Sequence, residues 1–266
     1  METIVSKKIG VLIPTTSRGR PEWKKVSDTY LFKYTLTTFL QTRSLQHKYT
    51  FYIGIDDDDR IMSHLDARNI IYNFKTIHEN ISFKFISMKA AKKGHLTKMW
   101  NILFQYAYEQ GCEYFLQCGD DINFKSMGWV DDAIRVLKKN NDIGITAPIC
   151  NNPTILTQSF VSRKHMEIFG WYFPEEIANW FCDNWINAVY KPNHLFPLYK
   201  HICSNDGGAV RYLIGSNGIS NAGTTSNFLD SLKNSTNTKE NLDILCREAY
   251  KLASTHKQLI EKYLHK

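Results

Sequence analysis

Two adjacent carboxylates, Asp120 and Asp121, stand directly behind an apolar run in LQCGDDINF (116–124). Magnesium and manganese prefer oxygen ligands, and they usually take one or two protein carboxylates together with the phosphates of a substrate. A carboxylate pair at the end of a strand supplies such a half-site. Successive strand side chains point to opposite faces, so the two are expected to do different jobs, Asp121 at the metal and Asp120 at a sugar or ribose hydroxyl. Aspartate at a strand end is also ordinary turn chemistry, so the pair alone does not decide.

Two further polar clusters end apolar runs in the same way. PTTSR (14–18) offers the hydroxyls of Thr15 and Thr16 and the guanidinium of Arg18, groups that suit a nucleotide. The run DDDD (56–59) places Asp56 where a carboxylate accepts a hydrogen bond from a nucleobase N–H or a ribose hydroxyl. Asp58 or Asp59 would equally serve as the cap of a helix starting near Arg60. Neither GxGxxG nor GxxxxGK[ST] occurs, which disfavours a dinucleotide fold and a P-loop ATPase.

The elements that must position these clusters follow from hydrophobic periodicity. KKIGVLIPTTSR (7–18), YTFYIGIDDDD (49–59), ISFKFISM (81–88), EYFLQCGDD (113–121) and IGITAPIC (143–150) read as strands. Helical spacing covers 30–42, 60–74, 96–113 with Gly111 as its stop, 128–140 and 242–264. Strands alternating with helices predict an α/β fold with a mostly parallel central sheet covered on both faces. In such sheets ligands sit outside the carboxyl ends of the strands, so the three polar clusters are expected on one rim. Beyond residue 150 the alternation fades, and SNGISNAGTTSN (216–227) reads as a mobile loop or lid, or equally as a plain linker.

With 266 residues, 43% of them hydrophobic, the chain can bury a substantial core, and a single globular unit is expected. Six scattered cysteines without a CxxC pair point away from a zinc module or a disulfide framework and towards reduced thiols. METIVSKKIG lacks a long apolar core of a signal peptide, and no apolar stretch approaches the roughly 20 residues that span a bilayer. A cytoplasmic protein is the expectation, and the sequons at Asn80 and Asn234 then carry little weight. A net charge of +7 permits nucleic acid, anionic membrane or phosphate-bearing ligands, but the basic residues are dispersed and no nucleic-acid partner is expected.

Taken in order, IGVLIPTTSR, YIGIDDDD and GHLTKMWNILFQYAYEQGCEYFLQCGDD resemble the GT-A glycosyltransferases, closest to the inverting family 2-like enzymes, over residues 8–200. The resemblance implies a Rossmann-like GT-A sheet in one domain: a nucleotide-sugar-binding half (7–150), an acceptor-side half (151–230) and a C-terminal helix (240–266). It implies Asp56 at the base or ribose, Lys98 and Asn101 near the nucleotide side, and a Mn2+ or Mg2+ cofactor. The family's acidic motif DxD reads GDD here, with Gly119 at the first acidic position, so Asp121 inherits the metal and Asp120 its neighbour's role. The stretch 160–190 resembles the acceptor-side segment, whose acidic residue is the general base of inverting members. Asp183 fits that position, with Glu175 and Glu176 as fallbacks. Trp171, Trp180 and Trp185 would stack on sugar faces or pack in the core. His201, in YKHICSNDGG, lies near where some relatives place a histidine on the metal or diphosphate. The implied partners are a nucleotide-sugar donor, first of all a UDP-sugar, and a glycan, protein or lipid-linked acceptor. The rivals are a sugar nucleotidyltransferase, whose glycine-rich loop PTTSRGRPEWKK only faintly echoes, and a catalytically inactive glycan-binding protein of the same fold.

Overall fold

A computed structural model describes residues 5–207 and 239–265. Four strands, β1 (Lys8–Thr15), β2 (Lys48–Ile55), β3 (Ile81–Ser87) and β4 (Tyr114–Gln117), run parallel in the order β3-β2-β1-β4. The sheet continues through β7 (Ser159–Ser162), β6 (Ile145–Ile149), β8 (Leu195–Asn205) and β5 (Ile122–Phe124), giving eight strands in the order β3-β2-β1-β4-β7-β6-β8-β5. β7 is antiparallel to both β4 and β6, β8 is parallel to β6, and β5 is antiparallel to β8.

The unbroken apolar run of β1 is explained by helices on both faces of the sheet. Alternation along the strand sends Val11 and Ile13 into one core with Phe39, Phe51 and Trp129, and Leu12 into the other with Phe104, Phe115 and Trp185. The first core is closed by α1 (Thr37–Thr42), entered through a π turn over Leu31–Leu36, by α2 (Leu65–Tyr72) and α3 (Phe74–Ile77), and by α5 (Trp129–Lys139). The second is closed by α4 (Leu96–Glu109), α6 (Lys164–Phe169), α7 (Cys182–Tyr190) and the long α8 (Lys239–Leu264). Among the described residues no helix is long and apolar enough to cross a membrane.

The expected alternation up to residue 150 is present, and α4 stops as expected beside Gly111, whose φ of +78° suits glycine. The helix expected over 60–74 starts only at Leu65, because Asp59 first closes a separate turn. β5, β7 and β8 are not legible in the sequence. In β8, Pro148 of β6 faces Leu198 and the next residue, Ile149, faces Ile202, so Tyr199–His201 bulge out and break the period of two. The Gly/Asn/Ser-rich tract 216–227 and the sequon at Asn234 lie outside the described residues.

Candidate active site

The three polar clusters meet because β1, β2 and β4 are parallel neighbours. Thr15 ends β1 opposite Ile55, Asp56 follows β2, and Gly119-Asp120-Asp121 form the turn from β4 into β5. Thr15 Oγ1 donates to Asp120 Oδ2 at 2.7 Å, with Asp120 fully buried. The turn itself is clamped by Thr35, whose Oγ1 donates to the Gly119 carbonyl (3.2 Å) and accepts from the Ile122 N–H (2.8 Å). Thr35 sits in the π turn, a distortion found often at functional sites.

Asp121 is half-buried, and its carboxylate occupies room left by two residues without side chains. A Cβ at Gly119 would lie 2.5 Å from Asp121 Oδ1, and one at Gly207, just beyond β8, would overlap the same carboxylate. The Asp206 N–H donates to the Asp121 carbonyl at 3.0 Å, which ties the two chain segments together. Glycine at the first acidic position is therefore the residue that lets the last carboxylate sit where it does.

The loops after β1 and β2 are joined by Asp59, which is 4% exposed. Its Oδ2 accepts from the Ser17 N–H (2.6 Å), Ser17 Oγ (3.0 Å) and Thr16 Oγ1 (3.2 Å). Its Oδ1 accepts from the N–H groups of Ile61 (3.0 Å) and Met62 (2.7 Å). These loops wall a cleft of about 290 Å3 that includes Arg18, Arg20, Asp56, Arg60 and Lys93. Arg20 Nη2 also reaches the Gly207 carbonyl at 3.1 Å. Burial pushes the Asp56 carboxyl above its ordinary range, and Lys93 and Arg18 oppose the shift.

A second cavity of about 410 Å3 shares Thr16 and Asp56 with the first. Asp120 and Asp121 line it, and so do Trp180 and Asp183. Asp183 stands in the first turn of α7, behind Phe181, a non-glycine residue at φ +70°. Such a backbone costs about 1–3 kcal/mol and is found where surrounding structure holds it in place. The segment just ahead of it is tied to α4 by Thr97, whose Oγ1 donates to the Ile177 carbonyl (2.5 Å) and whose N–H donates to the Ala178 carbonyl (3.2 Å). Asp183 Oδ1 accepts from the Asn184 N–H at 2.9 Å. Burial raises the pKa of the Asp183 carboxyl, against backbone N–H donors that lower it.

No protein-family model matches the sequence, and no curated protein matches it. Solved structures do match in shape. Staphylococcus aureus TarS 1–349 in complex with UDP-GlcNAc superposes with a TM-score of 0.54 at 13% identity, covering 89% of this chain and 72% of that one. The mannosyltransferase PcManGT from Pyrobaculum calidifontis, in complex with GDP-Man and Mn2+, gives 0.53 at 10% identity over 95% and 74% of the two chains. GalNAc-T7 with UDP, GalNAc and Mn2+ gives 0.56 at 10% identity, over 87% of this chain and 48% of that one, so this chain spans about half its length. The chain has a GT-A fold.

Within the GT-A frame, Thr15, Thr16, Arg18, Asp56, Asp120, Asp121, Trp180 and Asp183 all face the joined cleft. Five expected residues do not. Lys98 pairs with Glu175 (2.6 Å), and Asn101 clamps the turn at Tyr172 and Phe173 through Oδ1 (3.0 and 2.9 Å) and Nδ2 (2.8 Å). Both therefore brace the segment ahead of α7. Trp185 is fully buried, donates from Nε1 to His256 Nδ1 at 3.2 Å and packs 5.3 Å from the Trp171 ring. Trp185 on α7 and the partly buried Trp171 ahead of it both pack on His256 of α8, at 5.9 and 5.2 Å between ring centres. His201 Nε2 lies 2.8 Å from Asp132 Oδ2 on α5, and this pairing holds it away from the carboxylate turn. Sequence reasoning missed Arg20, Lys93 and Trp100, the last a cavity wall residue whose helical spacing reads as core, and it read Asp59 only as a cap.

Proposed function

We propose that the protein is a glycosyltransferase that moves a sugar from a UDP-sugar to a hydroxyl acceptor, with inversion and with help from a divalent cation. The carrying observation is that Asp183 and the Asp120–Asp121 pair line one cavity, which opens through Asp56 and Thr16 into a cleft of nucleotide size. The fold's solved examples in complex with UDP, UDP-GlcNAc, and GDP-Man with Mn2+ support a nucleotide-sugar donor and a metal. The acceptor hydroxyl belongs to a glycan, a protein or a lipid-linked sugar.

In this reading Asp56 accepts a hydrogen bond from the base or ribose, and Arg18, Arg20 and Lys93 lend positive charge to the diphosphate side of the cleft. Asp120, oriented by Thr15, faces the sugar end. Among the described residues no three His, Cys, Asp or Glu converge to cage a metal. The donor set still fits Mn2+ or Mg2+, because such ions take one or two carboxylates and complete their shell with substrate oxygens, and the glycines at 119 and 207 leave the room that the Asp121 carboxylate occupies. When bound, the cation neutralises charge on the departing diphosphate. Asp183 takes the proton of the acceptor hydroxyl at its carboxylate oxygen as that hydroxyl attacks the sugar. Its burial suits the task, since a base works best with a pKa moved towards the operating pH.

The test is NMR of donor turnover in the presence of Mn2+, following phosphorus and the anomeric proton together. An α-linked UDP-sugar is expected to yield UDP and a β-configured product. An α-configured product would contradict Asp183 as the base, and release of UMP or pyrophosphate would favour nucleotidyl transfer instead.

A further inference from the structure

All six cysteines are free, and four of them are buried; Cys150 and Cys246 are the two with partial exposure. Cys150 follows directly on β6 and Cys203 lies within β8. The preceding residues, Ile149 and Ile202, are register partners in the parallel pair, so Cys150 and Cys203 stand opposite each other. Neighbouring strands are about 4.8 Å apart, inside the roughly 4.4–6.8 Å between Cα atoms that a disulfide requires. Cys203 Sγ lies 3.8 Å from the Pro148 carbonyl of β6, which confirms that its side chain turns towards that strand.

The Cys203 thiol faces the Pro148 carbonyl, and the Cys150 thiol lies 3.7 Å from Asn151 Oδ1. The neighbouring Cys203 thiol, with Thr157 and the backbone of Asn151 and Asn205, holds the Cys150 thiol below its ordinary pKa in spite of burial. Cys246 differs, its thiol being pushed up by burial. A partly exposed thiol of lowered pKa beside a second thiol is the arrangement that reacts with peroxides and is then resolved.

We propose that Cys150 and Cys203 form an oxidation site, at which a hydroperoxide converts Cys150 to a sulfenic acid and Cys203 closes a disulfide between β6 and β8. In the first step the Cys150 sulfur attacks one peroxide oxygen, the O–O bond breaks, and hydroxide leaves and is protonated to water. In the second the Cys203 sulfur attacks the Cys150 sulfur, the S–O bond breaks, and the hydroxyl departs as water with the Cys203 proton. Two thiols lose two electrons and one hydrogen peroxide becomes two waters.

The bond would sit against the cavity wall. Asn151 is zipped to Asn205 by Oδ1 and Nδ2, each at 3.2 Å, and Asn205 lines the cavity that holds Asp121. The site stands apart from the glycosyl-transfer reading and is tested without it. The reduced full-length protein is treated with a small molar excess of hydrogen peroxide, residual thiols are alkylated after denaturation, and peptides are mapped without reductant. A Cys150–Cys203 linked peptide in most molecules, lost on reduction, is expected. In Cys203→Ser the sulfenic acid is expected to persist and to be captured by dimedone at Cys150. Free Cys150 and Cys203 in the treated wild-type protein, or oxidation of Cys246 ahead of Cys150, would overturn the proposal, and that wild-type readout does not depend on any variant folding.

Discussion

Asp183→Asn is expected to lower kcat by about 10²–10⁴-fold, the usual contribution of a positioned general base, while donor affinity stays unchanged and stability at neutral pH rises. The stability gain follows from burial, which raises the folded-state pKa of this carboxyl above the unfolded value. A group raised in that direction stabilises the fold fully below the unfolded pKa, near 3.9, and loses that contribution as pH rises through the folded pKa. Each unit of upward shift costs about 1.4 kcal/mol once the group is ionised. Asparagine keeps an oxygen to accept the Asn184 N–H and never ionises. Thermal unfolding of both proteins from pH 4 to pH 8 is therefore expected to show a variant advantage that grows with pH and vanishes in acid. The wild-type kcat/KM is expected to fall on the acid side as Asp183 takes up its proton, at a pH above the ordinary aspartate range. Unchanged turnover in the variant, or an equal stability difference at every pH, would remove Asp183 from the role of base.

Asp121→Ala is expected to abolish the response of donor turnover to manganese and to lower kcat/KM by at least about 10²-fold, since a cation at a departing phosphate is worth several kcal/mol. The fold is expected to survive, because the turn is clamped through Thr35 to the Gly119 carbonyl and the Ile122 N–H, without using the Asp121 side chain. Asp120 also keeps its bond from Thr15. Wild-type activity is expected to rise with manganese and disappear with EDTA, whereas the variant's residual rate responds to neither. A variant that retains the wild-type manganese response would show that the ion is held elsewhere.

How far these roles could be read in advance depended on whether one strand or several segments decide them. Asp56, Asp120 and Thr15 end apolar runs, and a parallel sheet brings strand ends together by its own geometry, so periodicity alone located the rim. Asp59 was legible only as a cap for the following turn; its second oxygen serves the loop after β1, a contact between strands that spacing does not encode. Gly119 looked like a defect in an acidic motif. Its reason becomes visible only with Gly207, which crowds the same carboxylate from a distant part of the chain.

Lys98 and Asn101 lie on a helix with polar and apolar sides, and nothing in that spacing tells which segment crosses the polar side; the turn at Tyr172–Glu175 does. Trp180 and Trp185 sit near each other in sequence and have opposite fates, because the left-handed Phe181 turns the chain between them and α8 then covers Trp185. His201 lies in a bulge that pairing with β6 produces, and the bulge carries it to Asp132.

The most direct test of a nucleotide-sugar site built around Asp121 is the thermal stability of the wild-type protein against UDP, GDP, CDP, dTDP and ADP, each with and without manganese. A ligand present at 100 times its dissociation constant adds about 2.7 kcal/mol to the folded state. Stabilisation of that size by UDP with manganese, and its loss on adding EDTA, is the expected result. Equal melting temperatures with all five nucleotides, with and without the metal, would contradict it.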